Sequence, residues 1–314
     1  MRKSNVDVLI ITYNSKEFIE ACIDSLLSSE GTDIRITVVD NASTDGTVEV
    51  IEQKYPSVEV VRNVENIGYA RAVNKGVKNV KGDFFIIANA DVVFHFDAAS
   101  QMIAYLTTHS DVGVVGVQQV FPDGRWQRSY GDMLGIWSST KNLAGITSFH
   151  NWIRRLTWPR SIDKFPKEVG YIDGAVMAIR KTAYNFVGGF DESFFFYGEE
   201  TDFCFRLRKS GWKVVFLPLS HIIHIRGGSS TKVDTVTDKY LRLQVNSKLL
   251  LVRKHYPQWQ VPLYMLIERM HANKLKLIHQ VIRWFAPKSK REHLSNRIMT
   301  FNQLVKIWGE HPDR

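Results

Sequence analysis

An α/β fold around a mostly parallel sheet with flanking helices, followed by a basic helical extension, is what this 314-residue chain predicts. Three observations carry that expectation. Strand-like apolar runs and amphipathic stretches alternate four times over about the first 95 residues, the pattern of right-handed β-α-β units. Phe84-Phe85-Ile86-Ile87-Ala88 is an unbroken apolar run, as a central strand covered on both faces requires. Each of three such runs gives way to a polar turn, and parallel sheets bind ligands beyond their strand carboxyl ends.

In chain order, Val8 to Ile11, Ile36 to Val39, Val58 to Val61 and Phe84 to Ala88 read as strands, with helices near 16–29, 45–54 and 68–80. Residues 97–109 read as a helix and Val112 to Val117 as a strand. From 121 to 168 periodicity fades while Trp126, Trp137, Trp152 and Trp158 accumulate. A substrate-facing excursion and a local aromatic subcore both fit that stretch, and Trp126 is kept as an acceptor-binding candidate. Order returns with Tyr171 to Ile179, which contains Asp173 and Gly174, and with Val214 to Leu217 ahead of Pro218. From about 235 the chain reads as helical, so the expected division is a catalytic domain over 1–231, with a nucleotide half to about 95, and a tail over 232–314.

Charge separates these parts. Residues 232–314 hold 16 Lys/Arg against 6 Asp/Glu, while the remainder holds 25 against 26. A neutral body with a basic tail points to an anionic surface, membrane lipid or nucleic acid. Within 263–285, Leu263, Leu266, Ile267, Met270, Leu277, Ile278, Val281, Ile282 and Phe285 recur at helical spacing opposite Arg269, Asn273, Lys276, Gln280 and Arg283, with Trp284 at the flank. That pattern suits a membrane interface, and equally a helix docked on the body with a solvated basic face. Pro287-Lys288-Ser289-Lys290-Arg291 follows it, and near anionic lipid each such charge contributes about 1 kcal/mol at best.

Cys22 and Cys204 lie in apolar segments and read as free buried thiols, which fits a reducing compartment. Met1-Arg2-Lys3-Ser4-Asn5 leads into a strand containing Asp7, unlike a signal peptide, and no apolar run approaches the ~18–20 residues that span a bilayer. A cytoplasmic protein is expected.

The polar turns hold the chemistry. Asn89-Ala90-Asp91 ends the apolar strand, so Asp91 reads as a metal ligand at a strand carboxyl end or as an ordinary turn aspartate. Thr12-Tyr13-Asn14 and Asp40-Asn41-Ala42-Ser43-Thr44-Asp45-Gly46 follow two other strands. Helix capping explains Ser43, Thr44 and Asp45 but leaves Asp40, upstream of the cap, to accept from a base N–H or a ribose hydroxyl. Asn66-Ile67-Gly68-Tyr69-Ala70-Arg71-Ala72 opens the third helix and offers amide donors and Arg71 to phosphate oxygens.

These segments together resemble glycosyltransferase family 2, the inverting enzymes of the Rossmann-like GT-A fold. The resemblance rests on Val39 to Thr47, Asn66 to Asn74 and Asn89 to Asp91. It continues through Gly174-Ala175, Arg180-Lys181, Val187-Gly188-Gly189-Phe190-Asp191-Glu192, Phe196-Tyr197-Gly198-Glu199-Glu200-Thr201-Asp202 and His224, and covers about residues 6–230. It implies that Thr12, Tyr13, Asp40 and Asn66 hold the nucleoside, and that Asp91 is the last position of an Asp-x-Asp metal motif. His224 falls where many members supply another ligand, and His221 reads as structural. Mg²⁺ or Mn²⁺ is the implied cofactor, with imidazole favouring Mn²⁺ modestly. Glu200 falls at the base position, where the family usually has Asp, with Glu199 and Asp202 as alternatives. Asn89 replaces the first Asp of the metal motif, so weaker metal binding is expected.

The full nucleotide-sugar set expected from loops and resemblance is Thr12, Tyr13, Asn14, Asp40, Asn41, Ser43, Asn66, Gly68, Arg71, Asn74, Asn89 and Ala90; Asp173, Gly174 and Trp126 are expected to meet the acceptor. The matching members most similar in these motifs are bacterial rhamnosyltransferase-like enzymes of O-antigen, capsule and cell-wall assembly. That resemblance implies dTDP-L-rhamnose as donor and a lipid-diphosphate-linked glycan as acceptor. It makes the anionic partner the inner membrane surface rather than nucleic acid, with the protein peripheral on its cytoplasmic face. UDP- or GDP-linked donors, a nucleotidyltransferase and a catalytically inactive binding protein are the alternatives; Thr12-Tyr13-Asn14 lacks the glycine-rich basic loop that a nucleotidyltransferase would carry.

Overall fold

The computed structural model describes residues 4–158, 165–195, 197–225 and 238–310. The nucleotide half alternates as expected: β1 (Ser4–Thr12), α1 (Ile19–Leu27), β2 (Thr32–Asp40), α2 (Thr47–Lys54), β3 (Glu59–Arg62), α3 (Tyr69–Val77) and β4 (Phe84–Asn89). Then come β5 (Val92–Phe94), α4 (Ala98–Thr108), β6 (Val112–Val120), β7 (Trp126–Gln127), β8 (Tyr130–Gly131), α5 (Ile136–Ala144) and α6 (Ile146–Thr157). Next are β9 (Lys167–Glu168), β10 (Tyr171–Ile172), β11 (Val176–Arg180), α7 (Lys181–Phe186), α8 (Glu199–Lys209) and β12 (Lys213–His224). Three helices follow: α9 (Asp238–His255), α10 (Gln260–Phe285) and α11 (Lys288–Ile307).

The main sheet runs β3-β2-β1-β4-β11-β6-β12-β5. Its first four strands are parallel, so Thr12, Asp40 and Asn89 end side by side: Thr12 pairs with Asp40 and Ile11 with Asn89. Burial explains the apolar run of β4. Phe85 and Ile87 join one core with Leu9, Val39, Val73 and Phe203, while Ile86 and Ala88 join a second with Val8, Ile10, Cys22 and Met102. Fully burying one such side chain stabilises by roughly 1.5–3 kcal/mol. Both cysteines are free and buried, as read.

The apolar segment Tyr171 to Ile179 is ordered, and the turn at 173–175 divides it into β10, paired with β8, and β11, which runs antiparallel to β4. Two expectations change. Pro218 does not end its strand, because the register of β12 against β6 shifts between Leu217 and His221, and an irregularity there tolerates a residue with no N–H. The stretch 121–168 is not an unbroken excursion, since it forms β7, β8, α5, α6 and β9.

The chain divides into two compact units, Met1–Met133 with Arg154–Lys232, and Leu134–Ile153 with Val233–Arg314. The expected boundary at 231/232 lies outside the described residues, and Leu134–Ile153 belongs with the C-terminal helices rather than the body. In that second unit Leu241, Val245, Leu249, Val252, Tyr264, Ile307 and Trp308 form a core. The buried Glu268 is satisfied by Ser139 Oγ at 2.6 Å and Lys248 Nζ at 3.3 Å.

Among the described residues, two helical faces are uncovered. Of the nine apolar residues expected to form one face of α10, Ile267 is buried and the other eight are exposed. The side chains that dock α10 are instead Val261, Tyr264, Ile267 and Ala272. On α6, Ile146, Phe149, Trp152, Ile153 and Leu156 share one helical face and are all exposed, and none of its residues is buried. No helix among the described residues is long and apolar enough to cross a membrane.

Candidate active site

Beyond Asn89, whose N–H donates to Ala175 O at 2.9 Å, the chain turns through buried Ala90 and Asp91 into β5. β5 pairs antiparallel with β12, with Val92 opposite His224, and Ile225 N donates to Asp91 O at 3.0 Å. This register brings two residues far apart in sequence together. His224 Nε2 lies 3.6 Å from Asp91 Oδ1, and both side chains are buried. A carboxylate oxygen and an imidazole nitrogen at this spacing are a donor set for Mg²⁺ or Mn²⁺. No group of three or more His, Cys, Asp or Glu among the described residues can hold a metal, so a cation here would also need oxygens from a bound diphosphate. His221 packs against the His95 ring instead, with centroids 4.5 Å apart and the planes tilted by 36°.

An acidic cluster forms at the start of α8. Tyr197 (φ 70°) and Gly198 (φ 89°) both adopt left-handed backbone, which aims Glu199 and Glu200 from the first helical turn. For a tyrosine that conformation is costly, and such strain gathers at functional sites. A Cβ placed on Gly174 would lie 3.5 Å from Glu200 Cβ, so Gly174 runs directly beside the base candidate. Burial first, then the Asp173 carboxylate, pushes Glu200 up to about 7. Glu199 is buried, its Oε2 has no hydrogen-bond donor among the described residues, and burial with Glu200 beside it raises its carboxyl well above the ordinary range. Tyr69 Oη donates to Gly174 O at 3.1 Å and closes the cluster from α3.

Asp202 does not join them. It is fully buried and held by Arg206 Nε at 2.7 Å, while Arg206 also donates to Val187 O. Its job is to fasten α8, which corrects its place among the candidate bases. Trp126, likewise, is packed into the body at 5% exposure opposite Val120 and presents little surface to an acceptor sugar.

At the nucleotide end, Thr12 and Asp40 are buried neighbours, and Thr12 Oγ1 has no partner among the described residues. Both Asp40 oxygens meet Ser43, through its N–H at 3.0 Å and its hydroxyl, so this carboxylate shapes the turn after β2 as well as facing the strand ends. A carboxylate has about four acceptor positions, which leaves capacity for a ligand. Asn14 (φ 50°) accepts Thr44 N–H at 2.8 Å and its own N–H donates to Ser43 Oγ, tying the first two turns together. Tyr13 is exposed at 41%, with a ring open to stacking. Asn41 is buried between Gly68 O and Asn63 Nδ2, so it braces the floor.

The third loop differs most from expectation. Asn66 Oδ1 accepts Gly68 N–H, and Tyr69 N–H donates to Phe195 O, so two amides expected to serve phosphate are already used. Arg71 Nε lies 3.7 Å from the Glu192 carboxylate. Asn74 is a structural bracket rather than a nucleotide ligand: it donates to Phe190 O and Glu192 Oε1 and accepts from Tyr184 Oη and Phe190 N. Gly68 (φ 84°, ψ 167°) sits in a region essentially closed to other residues, and a Cβ there would lie 2.7 Å from Phe195 O. Gly68→Ala is therefore expected to destabilise by about 1–3 kcal/mol, read as a lower midpoint in thermal or urea unfolding.

Comparison with known proteins gives the family and the fold. The model of the family described as "Glycosyl transferase family 2" matches residues 7–187, and that of "Glycosyl transferase family group 2" matches 103–284. The chain belongs to glycosyl transferase family 2. This glycosyltransferase is 25% identical over 281 residues to the N-acetylglucosaminyl-diphospho-decaprenol L-rhamnosyltransferase of Mycobacterium tuberculosis, covering 82% of this chain and 87% of the relative. It is 34% identical over 115 residues to the dolichol-phosphate mannosyltransferase of Pyrococcus furiosus, covering 35% and 32%. Its fold matches the mannosyltransferase PcManGT of Pyrobaculum calidifontis, solved with GDP-Man and Mn²⁺, at TM-score 0.61 and 16% identity over 99% of this chain and 89% of that one. It also matches GalNAc-T7, solved with UDP, GalNAc and Mn²⁺, at TM-score 0.58 and 14% identity over 99% and 58%. The α/β fold read from the sequence is thus the GT-A glycosyltransferase fold.

Residues that sequence reading passed over include Tyr69 as a wall of the acidic cluster, Asn63 behind Asn41, and Gln119 and Gln127 behind His224. A signal was present for Gln119 alone: Gln118 and Gln119 lie near the end of a nine-residue strand that is buried throughout, and buried amides need partners.

Proposed function

We propose that this glycosyltransferase moves L-rhamnose from dTDP-L-rhamnose to a hydroxyl of a lipid-diphosphate-linked glycan, with inversion. The observation that carries the reading is the placement of a carboxylate raised to about 7, Glu200, beside the Gly174 backbone, in a body whose buried Asp91–His224 pair suits a cation on a leaving diphosphate. The similarity to a rhamnosyltransferase along most of both chains favours the donor and the acceptor class.

Asp91 and His224 would hold the cation, which supplies Lewis-acid stabilisation to the departing diphosphate when bound. Thr12 Oγ1, Asp40 and Tyr13 meet the nucleoside at the ends of β1 and β2. Glu200, ionised, takes the acceptor hydroxyl's proton as that oxygen attacks the anomeric carbon from the face opposite the diphosphate. Burial first, and the Asp173 carboxylate second, keep the Glu200 carboxyl basic enough to do so near neutral pH. The experiment is diphosphate release from dTDP-, UDP- and GDP-linked sugars with Mn²⁺ and a prenyl-diphosphate-GlcNAc acceptor. Preference for dTDP-L-rhamnose supports the donor, and turnover only with a UDP- or GDP-sugar replaces it.

The same reading places the protein on an anionic membrane through its second unit. The exposed apolar residues Ile146, Phe149, Trp152 and Ile153 of α6 and those of the last turns of α10, with Lys276 and Arg283 on α10, support it. Because Val281 and Leu277 on α10 and Phe149 on α6 are exposed, charges can be placed there at little cost to folding. Leu277→Asp with Val281→Asp, and Phe149→Asp separately, are expected to reduce pelleting with phosphatidylglycerol vesicles while leaving donor hydrolysis in solution unchanged. Undiminished pelleting would instead favour a protein partner for these faces.

A further inference from the structure

Behind His224 lies a group of buried amides that fixes which ring nitrogen carries the proton. His224 Nδ1 is 3.1 Å from Gln119 Oε1 and 3.1 Å from Gln127 Oε1. The orientation of both amides is determined on their other side. Gln119 Nε2 donates to Asp173 Oδ1 at 3.3 Å, and Gln127 Nε2 approaches His224 O at 3.5 Å. A carboxylate and a carbonyl only accept, so each NH₂ is turned toward them and each amide oxygen toward the imidazole. Two acceptors converging on Nδ1 require that nitrogen to be the donor. In the neutral ring the lone pair is then on Nε2, the atom 3.6 Å from Asp91.

We propose that Gln119 and Gln127 are positioning residues that hold His224 as its Nδ1–H tautomer, with Nε2 presented as a ready-made ligand beside Asp91. The proposal rests on the metal-site reading above. Sequence favours no such arrangement by itself: the two glutamines come from adjacent antiparallel strands, β6 and β7, where Gln119 pairs with Gln127, and the register places both amides over one ring. The arrangement is rigid, since Gln119, Gln127 and His224 are all buried. Gln118 reinforces it from the next position, donating to Gln127 O at 2.8 Å and to Ser129 Oγ at 3.0 Å. Gln119 has a second role in the same geometry, because it is the bridge between the ligand histidine and Asp173, the carboxylate that faces the base. Partners of this kind behind a ligand histidine typically govern metal affinity by 10–100-fold.

The test uses the full chain with dTDP present and two readouts that do not depend on turnover. Histidine ¹⁵N–¹³C correlation spectra, with the His224 signals assigned by their loss in His224→Ala, are expected to show protonated Nδ1 in the wild type. In Gln119→Met with Gln127→Met they are expected to show averaging or Nε2–H. Mn²⁺ binding followed by electron paramagnetic resonance is expected to weaken on the order of 10–100-fold in that double variant. Gln127→Met alone leaves the Gln119 Oε1 acceptor at Nδ1 and is expected to retain the wild-type tautomer with a smaller loss of Mn²⁺ affinity than the double variant, which separates loss of the acceptors from damage to the fold. An unchanged tautomer or an unchanged Mn²⁺ affinity in the double variant, with His224→Ala weakening Mn²⁺, overturns the proposal. Unchanged Mn²⁺ affinity in His224→Ala and in Asp91→Ala overturns the metal-site reading beneath it.

Discussion

Glu200→Gln is expected to lower sugar transfer by about 10²–10⁴-fold, the range general-base catalysis contributes, with donor binding little changed. The amide is close to the carboxylate in size and can fill the same position beside Gly174, but it cannot take a proton from the acceptor hydroxyl. Stability should move the other way. Glu200 is raised in the folded state to about 7, above its unfolded value, so it favours folding below that unfolded value and loses this contribution as pH rises through about 7. Above that pH its ionised form is a cost, and Glu200→Gln is expected to melt at the same temperature as the wild type or higher. A variant both slower and more heat-resistant at alkaline pH is the signature of a carboxylate held for chemistry rather than for the fold.

Asp91→Ala is the second large effect. Removing the carboxylate takes away one of the two protein donors in the Asp91–His224 pair, and Asn89, already an amide, supplies no charge to replace it. Loss of the cation's stabilisation of the leaving diphosphate amounts to several kcal/mol, so transfer is expected to fall on the order of 10³-fold or more. Mn²⁺ titration by electron paramagnetic resonance is expected to show the affinity lost. Retained transfer with lost Mn²⁺ binding would mean that diphosphate departs without help from this position.

Much of the fold was legible because its first half obeys simple periods. β1 to β4 are apolar runs with polar turns at one end, and the apolar faces of α1 and α3 are spaced for a sheet. Where local pattern conflicted with non-local pairing, the reading failed. Tyr171 to Ile179 read as a single apolar segment although Asp173-Gly174 within it is a turn dipeptide, and the turn there sends its two halves to different sheets. Pro218 looked like a terminator because a one-dimensional pattern cannot show a register shift against β6. The apolar spacing of α6 was present in the sequence, but it was obscured by reading the whole tryptophan-rich stretch as one excursion.

The site divides in the same way. Asp91 was visible as a carboxylate at a strand end, whereas His224, 133 residues later, reached it only through the family resemblance, since β5–β12 pairing leaves no local trace. Asn74 and Asp202 were counted as site residues because their types suit the chemistry. Their hydrogen bonds to Phe190 and Arg206 show that the same polar groups are spent on holding loops and helix in place. Gln119 and Gln127 were missed because a glutamine's role depends on what its amide faces, and that is decided by strands far apart in pattern but adjacent in space.

The most direct test of the account is the pH–rate profile of transfer in the wild type and in Asp173→Asn, measured between about pH 5 and pH 9 with saturating donor and Mn²⁺. A base must be ionised to act, so the wild-type rate should rise through about pH 7 as Glu200 loses its proton. Removing the Asp173 charge should lower the Glu200 carboxyl and move that rise to more acidic pH. A profile flat across this range in the wild type would contradict the assignment of Glu200 as the base, whereas a rise that stays in place in Asp173→Asn would leave burial as the sole cause of the raised carboxyl.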